Sequence, residues 1–145
     1  MISIREYHSN DLEALTELMA DLGYPSEMNS MRSRMKAIEE NASYYTFVAS
    51  LDAQVIGMIG VRLVNYYEAD GIHAQISCLV TKQHYQGQGV GKQLIRFVES
   101  WAKEKGTDGL SLTSGIKEER VDAHEFYKKM GFKINGYRFV KKFRE

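Results

Sequence analysis

Three glycines between an apolar stretch and an amphipathic one restrict the fold more than any other feature of the sequence. Residues 72–81 are long and apolar enough for a central strand, and Gly87, Gly89 and Gly91 follow shortly after. From Gly89 to Lys105 the apolar residues recur at helical spacing. Glycines let a ligand meet the backbone, and amides at a helix start point at that ligand with the positive end of the helix dipole. The segment therefore predicts a strand, a turn that binds phosphate oxygens, and a helix.

The remaining sequence alternates between strand and helix periodicity. The predicted strands cover 2–6, 44–50, 55–64, 72–81 and 110–114, and one or two closing strands lie within 132–143 around a turn at Asn135-Gly136. The predicted helices run from a cap at Ser9 or Asn10 to Leu22, and over 26–40, 89–105 and 121–130. A methionine stripe on the second helix, Met28, Met31 and Met35, is typical of core, although soft side chains could also hold a substrate. This order predicts a mixed sheet with helices on its faces.

Composition narrows the class of protein. The chain has 145 residues, 43% of them hydrophobic and 26% charged, which fits one folded domain over 1–145. Basic and acidic residues number 19 each, so no long-range field attracts nucleic acid. Cys78 is the single cysteine, and no cluster has metal-ligand spacing. The first residues are charged and resemble neither a signal peptide nor a membrane span, so we expect a cytoplasmic protein without a membrane partner.

The glycine segment does not fit the two commonest phosphate-binding patterns. A P-loop requires a Ser or Thr after its Gly-Lys pair, whereas Gln93 follows Gly91-Lys92. The dinucleotide pattern Gly-x-Gly-x-x-Gly fails in its spacing from Gly87. A nucleotide hydrolase and a dinucleotide-dependent enzyme are therefore disfavoured.

Two motifs resemble the GNAT superfamily of N-acetyltransferases. Gln86, Gly89 and Gly91 match its coenzyme A loop, Gln/Arg-x-x-Gly-x-Gly/Ala. Residues 123–132 are similar to its Ala-x-x-Phe-Tyr-x-x-x-Gly-Phe element. The resemblance covers essentially the whole chain and implies an α/β, GNAT-like single domain. Its sheet would be mixed, mostly antiparallel, with six to seven strands flanked by about four helices, and splayed at the strand that binds pantetheine.

The resemblance also implies a cosubstrate and its contacts. Acetyl-CoA would donate an acetyl group directly to an amine, with no metal. The backbone of Leu79, Val80 and Thr81 would bind pantetheine. The remaining cofactor contacts would be Gln86, Gly87, Gln88, Gly89, Val90, Gly91, Lys92, Arg120 and Tyr127.

Catalysis needs an acid for the leaving thiolate and a route for the amine proton. Tyr127 has the matching position and a phenol that can donate, and packing beside Phe126 is its alternative role. Many relatives carry an acid where this chain has Gln75, which cannot accept a proton. Glu68, His73 and ordered water are the alternatives for the base. Cys78 has no recognisable Ser-His-Asp or Cys-His constellation beside it, so we interpret it as packing.

Several alternatives stay open at this point. The chain could be a coenzyme A-binding regulatory module without turnover, which Gln75 favours, or a domain that binds another anion. The acceptor could be a small-molecule amine or a peptide amine, and a homodimer is left open. Residues suggested as acceptor contacts favour a cationic acceptor, because acids stand among aromatic rings: Tyr24, Glu27, Tyr66, Tyr67 and Glu68.

Overall fold

A computed structural model describes residues 1–114 and 121–144. Five strands are present in the described residues: β1 (Ser3–Glu6), β2 (Tyr44–Leu51), β3 (Gln54–Asn65), β4 (Ile72–Thr81) and β5 (Leu110–Leu112). The helices there are α1 (Leu12–Leu22), α2 (Met28–Glu40), α3 (Val90–Glu104) and α4 (Val121–Lys129). Short 3-10 turns cover Ser9–Asp11 and Gln83–Tyr85. These elements agree with the predicted order as far as α4.

The strands form one sheet in the order β1-β2-β3-β4-β5. The pairs from β1 to β4 are antiparallel. Backbone hydrogen bonds join Asp108 N–H to the Ile72 carbonyl and Ala74 N–H to the Gly109 carbonyl. Residue numbers increase in the same direction along both partners of these bonds, so β5 runs parallel to β4. The sheet is therefore mixed.

One irregularity interrupts the pairing of β3 with β4. Gly60 is opposite Cys78, but Val61 is opposite Ile76. Ser77 is therefore an extra residue on β4, which is a β-bulge. Because strand side chains alternate between faces, the bulge turns Gln75 toward the same face as Cys78.

Helices cover both faces of this sheet. Apolar residues of α1 and α2, such as Leu15 and Met31, pack against Val48, Met58 and Val80 on one face. On the other face, the Phe47 ring lies 5.0 Å from the Phe97 ring of α3. Alternate strand residues point to these two layers of helices. The helices on both faces agree with the order of strands and helices in the sequence.

The start of α1 differs from the cap predicted at Ser9 or Asn10. Asp11 precedes α1 and is buried, and its carboxylate accepts the backbone N–H of His8 at 2.8 Å. The Arg5 guanidinium donates two hydrogen bonds to the same carboxylate, at 2.7 and 2.9 Å. Arg5 of β1 thus pairs with Asp11 and not with Ser9 or Asn10, because only a carboxylate balances the charge of the guanidinium.

The chain divides into two compact units, Met1–Ser111 and Leu112–Glu145. In the second unit, residues 132–144 form no strand, so the predicted closing strands are wrong and the sheet has five strands instead of six to seven. A strand needs a hydrogen-bonding edge as well as an alternating pattern. The elements described within this unit are α4 and the last residue of β5, which offer 132–144 little such edge.

Helix α4 ends in a manner that explains its sequence motif. Gly131 has a φ of 96°, and the N–H of Phe132 donates to the Tyr127 carbonyl at 3.0 Å. The N–H of Gly131 donates to the Lys128 carbonyl at 3.0 Å. This is a Schellman cap, which requires the left-handed conformation that glycine adopts without strain. The Gly-Phe pair of the motif therefore terminates the helix that carries Tyr127.

Candidate active site

The end of β4 has a backbone edge available beside it. Antiparallel pairing with β3 uses alternate amides and carbonyls of β4, so the others point away from β3. The residues just before β5 form backbone hydrogen bonds with Ile72 and Ala74, and β5 has three residues, so it ends before Leu79. In the described part of the chain no other strand adjoins this edge of the sheet. Leu79–Thr81 can therefore present main-chain groups to a ligand with amides of its own.

The glycine loop follows directly and leads into α3. Gly87 and Gly89 have φ values of 78° and 86°, and both are exposed. Gly89 is the residue before α3, and the Gln93 N–H closes the first helical turn on its carbonyl at 3.0 Å. The amides of Val90, Gly91 and Lys92 precede that bond and have no partner within the helix. The loop thus offers main-chain donors, a helix dipole and the exposed Lys92 cation to an anion.

Two sets of contacts fix this loop relative to the sheet. Lys82 forms an ion pair with Glu17 at 3.3 Å, and the Gln83 N–H donates to Asp21 at 3.3 Å, so α1 contacts both residues after β4. On β3, a Cβ added at Gly57 would lie 2.9 Å from the Val90 side chain. The absent side chain at Gly57 therefore lets the start of α3 approach the sheet closely.

A cavity of about 220 Å³ lies on the α1/α2 face of the sheet. Ser77 and Cys78, at the bulge just before Leu79, form one wall. The remaining lining comes from α1, α2, β2 and β3: Leu15, Met19, Met31, Arg34, Met35, Ile38, Tyr44, Tyr45, Thr46, Met58, Gly60 and Val61. The cavity adjoins the predicted pantetheine strand and is mostly apolar.

Cys78 lines this cavity as a neutral thiol. Burial raises its pKa to about 11, because the apolar surroundings disfavour the thiolate. A thiol with this pKa is protonated at neutral pH and is a poor nucleophile. The geometry therefore agrees with the interpretation of Cys78 as packing.

Gln75 is held in place by an arginine. The Arg62 Nε donates to Gln75 Oε1 at 2.6 Å. The register aligns Tyr44, Arg62 and Gln75 across three strands, next to the row of Thr46, Gly60 and Cys78 that borders the cavity. The row next to the cavity thus holds a neutral amide, Gln75, and a cation, Arg62.

The two titratable candidates for the base lie at the other end of β4. His73 is six residues before Leu79, or roughly 20 Å along an extended strand. Its ring stacks on Tyr66 at 5.0 Å, and its Nδ1 atom is buried with no hydrogen-bond partner among the described residues. Glu68 is exposed in the loop beyond Tyr66. This separation from Leu79–Thr81 is an argument against a direct role for either side chain, and the base stays a prediction.

Tyr127 belongs to the second unit and is described there. It is half-buried on α4, with its ring 5.5 Å from Phe126 and 6.0 Å from Phe132. Its ring is therefore held between two aromatic neighbours of its own unit, and its role as acid remains a prediction. Arg120 lies outside the described residues.

Sequence reasoning missed most of the cavity. None of the five suggested acceptor contacts, from Tyr24 to Glu68, is among its lining residues. Of the predicted elements, only the methionine stripe of α2 pointed to this region, through Met31 and Met35. Gly60, Ser77 and Arg34 could not have been identified, because their meeting depends on strand register and on the bulge.

Residues 1–114 and 121–144 contain neither a metal-ligand cluster nor a membrane-spanning helix. No group of three or more His, Cys, Asp or Glu side chains in these ranges could hold a metal ion. Within the same ranges, none of the helices combines the length and apolar character needed to cross a lipid bilayer.

Comparison with known proteins identifies the class that this fold and loop define. Residues 12–132 match the acetyltransferase (GNAT) family. The chain belongs to this family and is an acyltransferase, which confirms the resemblance of its two motifs.

Individual relatives agree with this assignment. The chain is 32% identical over 125 residues to the uncharacterized N-acetyltransferase YhdJ of Bacillus subtilis (strain 168), with 86% of each chain covered. It is 32% identical over 94 residues to the aminoalkylphosphonate N-acetyltransferase of Salmonella typhimurium, covering 65% of this chain and 60% of that one. Its fold matches the crystal structure of a transcriptional regulator from Bacillus halodurans C-125 with a TM-score of 0.87 at 28% identity, covering 99% and 100% of the two chains.

Proposed function

We propose that this chain transfers the acetyl group of acetyl-CoA to a primary amine of a small molecule. The observation that carries the proposal is the adjacency, within one unit, of the open strand edge at Leu79–Thr81, the glycine loop and the cavity. Main-chain amides of the loop would bind the diphosphate, and the strand edge would bind pantetheine. The thioester would then lie beside Ser77 and Cys78, where an amine in the cavity can reach it.

The transfer proceeds by direct attack. The amine nitrogen bonds to the thioester carbon, the carbon–sulfur bond breaks, and the products are an amide and a free thiol. Tyr127 donates a proton to the leaving thiolate and is reprotonated from solvent, while the amine proton leaves through water. The neutral Cys78 thiol supports this route over one through an acyl-enzyme.

The cavity itself favours the reactive form of the acceptor. An ammonium ion loses hydration on entering an apolar site, so the pKa of the bound amine falls and the neutral form is favoured. Arg34 and Arg62 are like charges that act in the same direction. This environment reduces the need for a protein base and supports the water route at Gln75.

The direct test is thiol release from acetyl-CoA by purified protein with a panel of small amines. We expect release that depends on the amine, and calorimetry should show binding of coenzyme A. Reactions without an amine and reactions with boiled protein are the controls. Coenzyme A binding without release from any amine in the panel would contradict the proposal.

A regulatory module that binds coenzyme A without turnover is the second candidate. The Arg62 to Gln75 pair favours it, because the usual position of the acid holds no base. The similar Bacillus halodurans structure described as a transcriptional regulator also favours it. Binding of coenzyme A with no turnover in the amine panel would support this candidate.

A further inference from the structure

The cavity on the α1/α2 face has a charge opposite to the one that the sequence predicts for the acceptor site. A cationic acceptor would need acidic partners, yet the cavity lining contains no carboxylate among the described residues. Its charged member is Arg34 of α2. A second cation, Arg62, follows in the next row across the sheet.

From this arrangement we infer that the acceptor is an amine with an apolar body and an anionic group. The apolar body would occupy the methionine-lined cavity, and a carboxylate, phosphate or phosphonate would bind Arg34. The inference rests on the proposed acetyl transfer and specifies its substrate class.

The size and lining of the cavity support the apolar body. An apolar cavity of about 150 Å³ is enough to hold benzene, and this one measures about 220 Å³. Its walls include four methionines, Met19, Met31, Met35 and Met58. Methionine is flexible and polarizable, so such walls can adapt to aliphatic and aromatic groups. A polar sugar or polyamine would lose its hydration there without replacement hydrogen bonds.

The state of Arg34 supports the anionic group. Its guanidinium donates to Ser26 Oγ at 3.2 Å and lies 3.0 Å from the Met31 sulfur. Both partners are neutral, and no carboxylate in the described chain forms an ion pair with Arg34. Arg34 is exposed, and two contacts with neutral groups hold its side chain at the cavity without balancing its charge. A guanidinium in this position is suited to bind a carboxylate or phosphonate through two hydrogen bonds.

Arg62 gives this face a second positive charge. Its contact with Gln75 is a hydrogen bond to a neutral amide, at 2.6 Å. A glutamate at position 75 would balance that charge and would repel an anionic acceptor. The glutamine that removes the family's acid thus also keeps the site attractive to anions.

The test compares amines that carry a phenyl ring and differ in charge, together with spermidine, an acyclic polyamine. The anionic probes are phenylalanine, β-phenylalanine and the phosphonate analogue of phenylalanine, and the others are phenylalaninamide, phenethylamine and spermidine. We expect kcat/KM for the best anionic probe to exceed that of each uncharged or cationic probe at least tenfold. The phosphonate and the two carboxylates distinguish the type of anion and its distance from the amine. Equal or faster turnover of phenethylamine or spermidine would overturn the inference and leave acetyl transfer intact.

Two variants connect the preference to Arg34. Arg34→Gln should raise KM for anionic probes at least tenfold and leave phenylalaninamide unchanged. Arg32→Gln is the matched control, because Arg32 is exposed on the same helix, as Arg34 is, but contacts Asn29 and does not line the cavity. An unchanged KM in Arg34→Gln, or an equal rise in both variants, would contradict the assignment.

Binding measurements separate this inference from the proposed function. Calorimetry on protein saturated with coenzyme A measures acceptor binding whether or not turnover occurs. Gly60→Val should abolish that binding and preserve coenzyme A affinity, since its side chain would enter a cavity where a Cβ has only ordinary contacts. Binding of anionic probes without thiol release would contradict acetyl transfer but leave the inferred ligand class, an amine with an anionic group, intact. Thiol release without any preference for anions would do the opposite.

Discussion

At the residue scale, the proposed site combines a few polar groups with mostly apolar walls. Tyr127 has two aromatic ring neighbours in its own unit, Phe126 and Phe132. Packing and proton donation are compatible for such a side chain, because the ring can be held while the hydroxyl acts.

Removal of the Tyr127 hydroxyl tests its role as the acid. We expect Tyr127→Phe to lower kcat roughly 10²-fold or more, with little change in coenzyme A affinity, because only proton donation to the leaving thiolate is lost. The measurement is steady-state turnover, with single-turnover experiments to confirm that chemistry limits the rate. Tyr137→Phe, which removes an exposed hydroxyl from the same unit, is the control. Wild-type turnover in Tyr127→Phe would assign the residue to packing alone.

The pH dependence of kcat/KM for the acceptor tests the base. With water as the proton acceptor, the rate should keep rising toward the pKa of the free amine, about 10 for a lysine-like amine. Glu68→Gln and His73→Gln should leave this profile unchanged, because both residues lie toward the end of β4 opposite Leu79. An inflection between about pH 5 and 8 that one of these substitutions removes would identify that side chain as the base.

The predictability of the site differs from residue to residue. The glycine loop before α3 could be predicted because its requirement is local: glycines and helix-start amides adjacent in sequence. The contact between Arg62 and Gln75 could not be predicted, because strand register determines which side chain lies opposite Arg62. The charge beside the cavity could not be predicted for the same reason, since Arg34 comes from a helix that the sequence does not align with β4.

At the element scale, the start of α3 is the feature on which the proposed donor binding depends. Gly89 has a φ of 86° and no atom within 4 Å of an added Cβ, so a side chain there would point into open space beside the loop amides. Such space next to unpaired donors is where a diphosphate would lie.

A charged side chain at Gly89 should therefore repel the donor. We expect Gly89→Glu to raise the dissociation constant for coenzyme A at least tenfold, about 1.4 kcal/mol. Gly89→Gln is matched in size and in backbone strain, so the difference between the two variants isolates the charge. Calorimetry measures both, and circular dichroism checks that α3 persists. Equal affinities for the two variants, with the fold intact, would refute a diphosphate at this position.

Element boundaries were predictable where local sequence determines them. The ends of α1 and α4 coincide with glycines in the left-handed conformation, Gly23 and Gly131. The closing strands at 132–143 were wrong because alternation describes a strand's faces but does not provide its partner. The bulge at Ser77 was invisible for a related reason, since it exists only relative to β3.

At the scale of the whole molecule, the contact between β1 and α1 links stability to pH. The Arg5 hydrogen bonds hold the pKa of Asp11 below its usual range, against the opposing effect of burial. A depressed carboxyl pKa stabilises the fold above the pKa of the unfolded chain, about 3.9. This stabilisation is lost as the pH falls through the folded pKa.

Asp11→Asn should therefore destabilise the protein at pH 7 by about 1–2 kcal/mol, the usual contribution of a lost charged hydrogen bond near a helix start. The difference from wild type should shrink as the pH falls below about 4, the pKa of the carboxyl in the unfolded chain, and vanish as the pH passes through the lower pKa of folded Asp11. Urea unfolding at pH 7 and at pH 3 measures both values. Glu13→Gln, an exposed acid on the same helix, is the control. A difference that stays constant across this range would show that the charge of Asp11 is irrelevant to stability.

The bulge at Ser77 also reverses which face of the sheet the even-numbered residues of β4 point to. Ala74, Ile76 and Val80 are all even-numbered and buried, and strict alternation would place them on one face. With Ser77 inserted, Val80 packs toward α1 and α2, whereas Ile76 is paired with Val61 on the α3 side. Deleting this one residue would exchange the faces of everything before it in the strand. Gln75 would then face α3 and Ile76 would face α1 and α2, so one inserted residue determines whether an amide or an aliphatic side chain stands on the cavity's face of the sheet.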